Sequence, residues 1–256
     1  MLKSLISAFL MYSRLPMPKI EWKPENRRYA LGFFPLVGAV IGFLWLVWYQ
    51  LCTRFAIRPL LFAAGAVLLP VLITGGIHLD GFCDVTDARA SYAEKEKRLA
   101  IMSDPHIGSF AVIRICLYLI LQTALFTQIN TFSQAVIIAA GYVLSRSFSA
   151  LSAVLFRGAK KDGSLQSFVK PSHRSITICM TVLFPVFSYT CMICADYTAG
   201  ICAAVSSVFV FLYYRMISYR DFGGITGDLC GWFLQLCEIW ILAAVVITGI
   251  VTEALL

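Results

Sequence analysis

The chain has 256 residues, 59% of them hydrophobic and 14% charged, with a mean hydropathy of +0.80. A water-soluble domain of this size would carry about 25% charged residues, so a soluble globular fold is excluded. The formal net charge of +7 invites a nucleic-acid partner, but the placement of the charges along the chain argues against one.

The N-terminal stretch Met1–Tyr12 holds one lysine and a short apolar run, followed directly by Arg14-Leu-Pro-Met-Pro18. It lacks a small-residue cleavage site, so it reads as a retained helix at a membrane surface rather than a signal peptide. Seven apolar runs long enough to span a bilayer follow, at 31–53, 58–77, 109–130, 132–155, 175–195, 197–217 and 231–251. Short connections and the lack of a repeat or long linker predict an all-α, polytopic membrane helical bundle. It forms one membrane-embedded domain over 1–256.

Lys3, Arg14, Lys19, Lys23, Arg27 and Arg28 precede the first span. Arg89, Lys95, Lys97 and Arg98 follow the second, Arg157, Lys160, Lys161, Lys170 and Arg174 follow the fourth, and Arg215 and Arg220 close the sixth. The opposite side collects only Arg54 and Arg58. This asymmetry is the positive-inside pattern. It predicts a cytoplasmic N-terminus and an outer C-terminus, and accounts for the basic balance as topology, with some cations available to anionic substrates or lipid headgroups. The nine cysteines are scattered, and the Cys191-Met-Ile-Cys194 spacing lacks a second pair, so small apolar filling is the better reading.

The connection after the second span holds the densest chemistry. Gly75-Gly76-Ile77-His78-Leu79-Asp80-Gly81-Phe82-Cys83-Asp84-Val85-Thr86-Asp87 packs three aspartates into eight positions of a chain with 14 acidic residues, and Asp104 follows in Ser103-Asp104-Pro105-His106. At i, i+4 and i+7, Asp80, Asp84 and Asp87 share one face of a helix. Stacked carboxylates repel, and a hard divalent cation such as Mg²⁺ converts that cost into binding. A second acidic segment, Asp221-Phe-Gly-Gly-Ile-Thr-Gly-Asp228, lies between spans six and seven. There Gly223, Gly224 and Thr226 suit a loop whose backbone N–H groups approach phosphate. Arg114, Arg146 and Glu238 fall in or near the cytoplasmic halves of their spans. Intramembrane charges face a cavity or a partner, so they suggest a polar vestibule in which Arg146 meets the ligand; the plainer reading is a pairing inside the bundle. His78 and His106 could bind phosphate, move a proton or cap a helix. Carboxylates holding Mg²⁺ with arginine and lysine nearby are the parts phosphoryl transfer needs.

Arg14-Leu-Pro-Met-Pro18, Phe34-Pro35-Leu-Val-Gly38, Thr74–Gly81 with Asp84 and Asp87, Ile101–Ser109, and Gly223–Asp228 with Glu238 occur in order. Together they resemble the cobalamin synthase family, the adenosylcobinamide-GDP ribazoletransferases, from about residue 5 to 240. The resemblance implies a Mg²⁺-dependent transferase of a bacterial or archaeal inner membrane, working at the cytoplasmic face. It joins adenosylcobinamide-GDP to α-ribazole or its 5′-phosphate and releases GMP. It further implies that Asp80, Asp84 and Asp87 hold Mg²⁺ on the diphosphate, that Asp104 and Asp228 complete that site or position the nucleophile, and that His78 and Arg89 contact phosphates. The expected partners are those small molecules and membrane lipid, without nucleic acid; self-association stays open. The family pattern often has a basic residue where Ser103 stands, and Pro105-His106 varies.

Two other readings compete. Asp84-Val-Thr-Asp87-Ala-Arg89 echoes the opening motif of CDP-alcohol phosphotransferases, but the further aspartate pair that motif needs does not appear between Arg89 and Asp104. A cation-coupled transporter would place its site near the midplane within repeated halves, whereas these aspartates sit on one side and no repeat is visible. A polyprenyl-transferase reading fits Asp221 and Asp228 poorly.

Overall fold

A computed structural model describes residues 1–160, 163 and 165–255. Lys161, which the charge map places with the other basic residues, lies outside them. Among the described residues there are twelve helices and no strand. They are α1 (Leu2–Tyr12), α2 (Pro24–Arg27), α3 (Ala30–Arg54), α4 (Pro59–Thr74), α5 (Ile77–Ala90), α6 (Lys95–Ile101), α7 (Ser109–Phe126), α8 (Phe132–Leu155), α9 (Gln166–Val169), α10 (Arg174–Ala195), α11 (Tyr197–Phe222) and α12 (Gly227–Leu255).

Six helices, α3, α7, α8, α10, α11 and α12, are long and apolar enough to cross a membrane. The chain is therefore a multi-pass membrane protein, as composition predicts. Its second span differs from expectation. α4 ends at Thr74 and is only about 24 Å long, and the chain then turns through 95° into α5. Gly75 and Gly76 make that turn with φ of 67° and 82°, the left-handed region that costs glycine nothing. The acidic motif, expected in the connection after the second span with its aspartates on one helix face, is a 14-residue helix. With three aspartates, a histidine and an arginine it is too polar to span by itself, and we read it as lying outside the membrane-spanning segments.

α8 is the central helix, packed by α3, α10 and α12. Small residues along it, Ala139, Gly141, Ser145, Ser149 and Ser152, let its neighbours approach closely. Gly38 and Gly42 of α3 seat against the α8 backbone at Tyr142 and Ala139. Trp45, Phe62 and Phe126 pack with tilted rings across α3, α4 and α7 in the apolar core.

The polar connections gather at one end. The backbone N–H of Arg14 donates to Ile73 O (2.7 Å), that of His173 to Arg28 O (2.9 Å), and that of Ile225 to Arg157 O (2.9 Å). Arg14 also lies over Gly75, where an added Cβ would come within 2.5 Å of Nε, so the Arg-Leu-Pro-Met-Pro segment braces the α4–α5 turn. The other end is closed by the short turns 55–58 and 127–131 and by Asp196, which caps α11 through Ala199 N–H (2.8 Å).

Candidate active site

α5 carries two different faces. On one lie Asp80, exposed, and Asp84 and Asp87, each half-buried. This face meets the start of α12. Gly81 touches Asp228, since a Cβ there would sit 2.7 Å from Asp228 O and 2.9 Å from its Cα. That contact is why the glycine follows the aspartate: any larger residue would push the second acidic segment away from the first. Burial, and then the charges of Asp80, Asp228 and Asp87, push the Asp84 carboxyl up to about 7. Four carboxylates from two distant segments therefore share one electrostatic neighbourhood, and among the described residues no ion pair links them to a cation.

Asp87 has a further role. A Cβ at Gly108 would collide with its carboxylate, and the Ala111 N–H donates to Oδ1 at 3.4 Å. The carboxylate thus lies at the N-terminus of α7, where the helix dipole favours negative charge. Asp104 stands in the connection leading into α7. It is exposed and bonded to His106 through Nδ1 (2.7 Å) and the backbone N–H (2.9 Å). Those bonds, the backbone one foremost, hold its carboxyl below the usual range.

Beside Asp228 a cavity of about 160 Å³ is lined by Ser103, Lys160, Gln166 and Thr226. Lys160 Nζ donates to Ser103 Oγ at 2.9 Å. The Thr226 hydroxyl accepts from Leu229 N–H at 3.2 Å and caps α12. Sequence reasoning saw Lys160 only as part of a basic loop; the backbone pairing of Ile225 with Arg157 and Ala159 brings that loop to Asp228.

Four expectations change. His78 is 5% exposed and faces Phe34 and the α12 backbone at Gly231, on the side of α5 away from the aspartates. Two residues before Asp80, helical rotation carries it off that face. Arg89 likewise points away, donating to Asp221 at 3.2 Å and lying over Trp232. Gly223 and Gly224 do not offer free N–H groups: Gly223, at φ 74°, caps α11 by bonding Tyr219 O, and Gly224 bonds Ser218 O. Arg146 is 1% exposed and forms an ion pair with Glu238, so the plainer reading of a pairing inside the bundle describes it; Arg114 is exposed instead.

Among the described residues no group of three or more His, Cys, Asp or Glu side chains is placed to hold a metal ion. The aspartate cluster still fits Mg²⁺, which typically takes one or two carboxylates and completes its shell with water and substrate phosphate. The donors are hard oxygens, and the excess negative charge that lifts Asp84 is the charge a divalent cation would offset.

A polytopic helical bundle with a carboxylate cluster at one polar end defines a class: membrane-embedded proteins with an acidic site at the membrane surface. A family model described as cobalamin-5-phosphate synthase matches residues 4–246, and the chain belongs to that family. It is 39% identical over 98% of its length, and 96% of the relative's, to an adenosylcobinamide-GDP ribazoletransferase of Lachnoclostridium phytofermentans. It is 32% identical to one of Geobacillus sp., covering 89% of this chain and 88% of that one. A Clostridium perfringens protein of the same name is 28% identical, over 92% and 94%. No solved structure matches the chain.

Proposed function

We propose that this chain joins adenosylcobinamide-GDP to α-ribazole or α-ribazole 5′-phosphate, forming adenosylcobalamin or its 5′-phosphate and releasing GMP, at the cytoplasmic face of a bacterial or archaeal membrane. The observation that carries this reading is family membership over nearly the whole chain, with a relative of that name 39% identical over 98% of it. The cytoplasmic placement is supported by the basic residues gathered at the aspartate end. Family membership also favours this reading over a CDP-alcohol phosphotransferase or a transporter.

The reaction exchanges the phosphoanhydride of the diphosphate for a phosphodiester. A ribose hydroxyl of the ribazole attacks the phosphorus on the cobinamide side, a new P–O bond forms, and the diphosphate bridge breaks toward GMP. Such transfer depends on positioning and charge neutralisation more than on covalent chemistry by the protein. One or two carboxylates of the Asp80, Asp84 and Asp228 group would hold Mg²⁺, which would supply positive charge to the diphosphate. Asp87 fixes the α7 N-terminus against α5 and so positions the other carboxylates. Lys160 supplies a cation at the 160 Å³ cavity beside Asp228, and its contact with Ser103 puts a basic group where the family pattern often has one. Thr226 orders the first turn of α12.

The test is a membrane assay with adenosylcobinamide-GDP and α-ribazole, following GMP with and without Mg²⁺. Mg²⁺-dependent GMP release supports the proposal. Release of CMP from a CDP-alcohol, with no GMP from the corrinoid substrate, would replace it with the runner-up.

A further inference from the structure

The second face of α5 borders a groove of about 980 Å³. None of Asp80, Asp84, Asp87, Asp104 or Asp228 lines it. Its walls are two apolar rows at helical spacing, Ile201, Val205 and Phe209 of α11 facing Trp232, Leu236 and Trp240 of α12. Several of these side chains lie open, Phe209 at 67% and Trp240 at 56% exposure. From Ile201 to Arg220 the groove follows α11 for about 28 Å, the depth of a bilayer's hydrocarbon core.

Its mouth is basic. Arg89, Arg98 and Arg220 surround the single carboxylate of Asp221, at 3.2, 3.2 and 2.8 Å. The Arg98 Nε is buried without a hydrogen-bond partner among the described residues. Arg114 adds a fourth guanidinium from α7, about 8 Å below the start of that helix. It lines the same groove and has no ion-pair partner among the described residues. Four cations against one anion leave a surplus of three positive charges over an apolar channel open along a membrane-spanning helix.

We propose that this groove binds an anionic glycerophospholipid from the leaflet at the polar end, its acyl chain between α11 and α12 and its phosphate on Arg98 and Arg114. Charge selects this occupant. A second copy of the chain, docked face to face, would bring like arginine clusters together at one depth. A zwitterionic lipid would leave the surplus uncompensated. Because Phe82, Thr86 and Arg89 of α5 also line the groove, the lipid braces the helix that carries the aspartates from behind.

The test uses the full chain in phosphatidylcholine vesicles, doped with brominated phosphatidylglycerol or brominated phosphatidylcholine. The probe is the quenching that disappears in Trp240→Phe. The brominated anionic lipid should quench at lower mole fraction, and Arg114→Gln should reduce that preference about fivefold, the usual contribution of one arginine near a lipid surface. Arg114→Lys should retain most of it. Equal quenching by the two lipids, no quenching by either, as a protein partner covering the groove would give, or an unchanged preference in Arg114→Gln would each overturn the proposal.

Discussion

The two acidic groups at the polar end, Asp221 on one side of α5 and the Asp80–Asp84–Asp87–Asp228 cluster on the other, are balanced in opposite ways. Asp221 is 7% exposed and meets three guanidiniums. The cluster has four carboxylates and, among the described residues, no ion-paired cation. A buried carboxylate with all its partners present holds helices together. Carboxylates crowded without partners hold a cost that a ligand can remove. The buried pair Arg146–Glu238 belongs with Asp221: it ties α8 to α12.

Breaking a balanced pair should have the largest effect. Arg146→Leu leaves Glu238 alone in the bundle and should cost about 3–5 kcal/mol, seen as lost folded protein in membranes, while adding Glu238→Leu restores most of it. If the single variant accumulates and melts normally, the pair is not structural. The unbalanced cluster should respond in activity instead. Asp84→Asn should lower GMP release by about 10²–10³ with insertion and thermal stability unchanged or improved. Asp80→Asn and Asp228→Asn should behave alike, and near-normal turnover in all three would remove the metal assignment.

Spacing gives a smaller effect. Gly81→Ala places a methyl group 2.7 Å from Asp228 O and should cost about 1–3 kcal/mol, with a weaker apparent Mg²⁺ affinity than wild type at equal protein level. The smallest effect is in pH. The Asp84 carboxyl is raised from an ordinary 3.8 to about 7, so between those values the folded chain binds more protons than the unfolded one. Stability without metal should therefore fall as pH rises from about 4 to about 7, then level off. Melting curves in EDTA should show this slope, Asp84→Asn should flatten it, and added Mg²⁺ should reverse it.

The sequence by itself determined the membrane class, six of the seven expected span positions to within a few residues and the aspartate face, because hydropathy, helical period and charge bias are local properties. Residues 132–155, for instance, were readable as a span and form α8 over that same range. The Gly75-Gly76 turn was legible as a break and the aspartate spacing as a helix face, but the 95° angle between α4 and α5 was not. Which charges pair was decided only by tertiary structure. His78, Arg89 and Arg146 look like ligand contacts in one dimension, yet packing turns the first away from the aspartates and gives the other two carboxylate partners. Gly81 and Gly108 look like ordinary glycines until Asp228 and Asp87 are seen against them. Sequence spacing sets which residues share a helix face; what that face meets depends on helices that arrive from more than a hundred residues away.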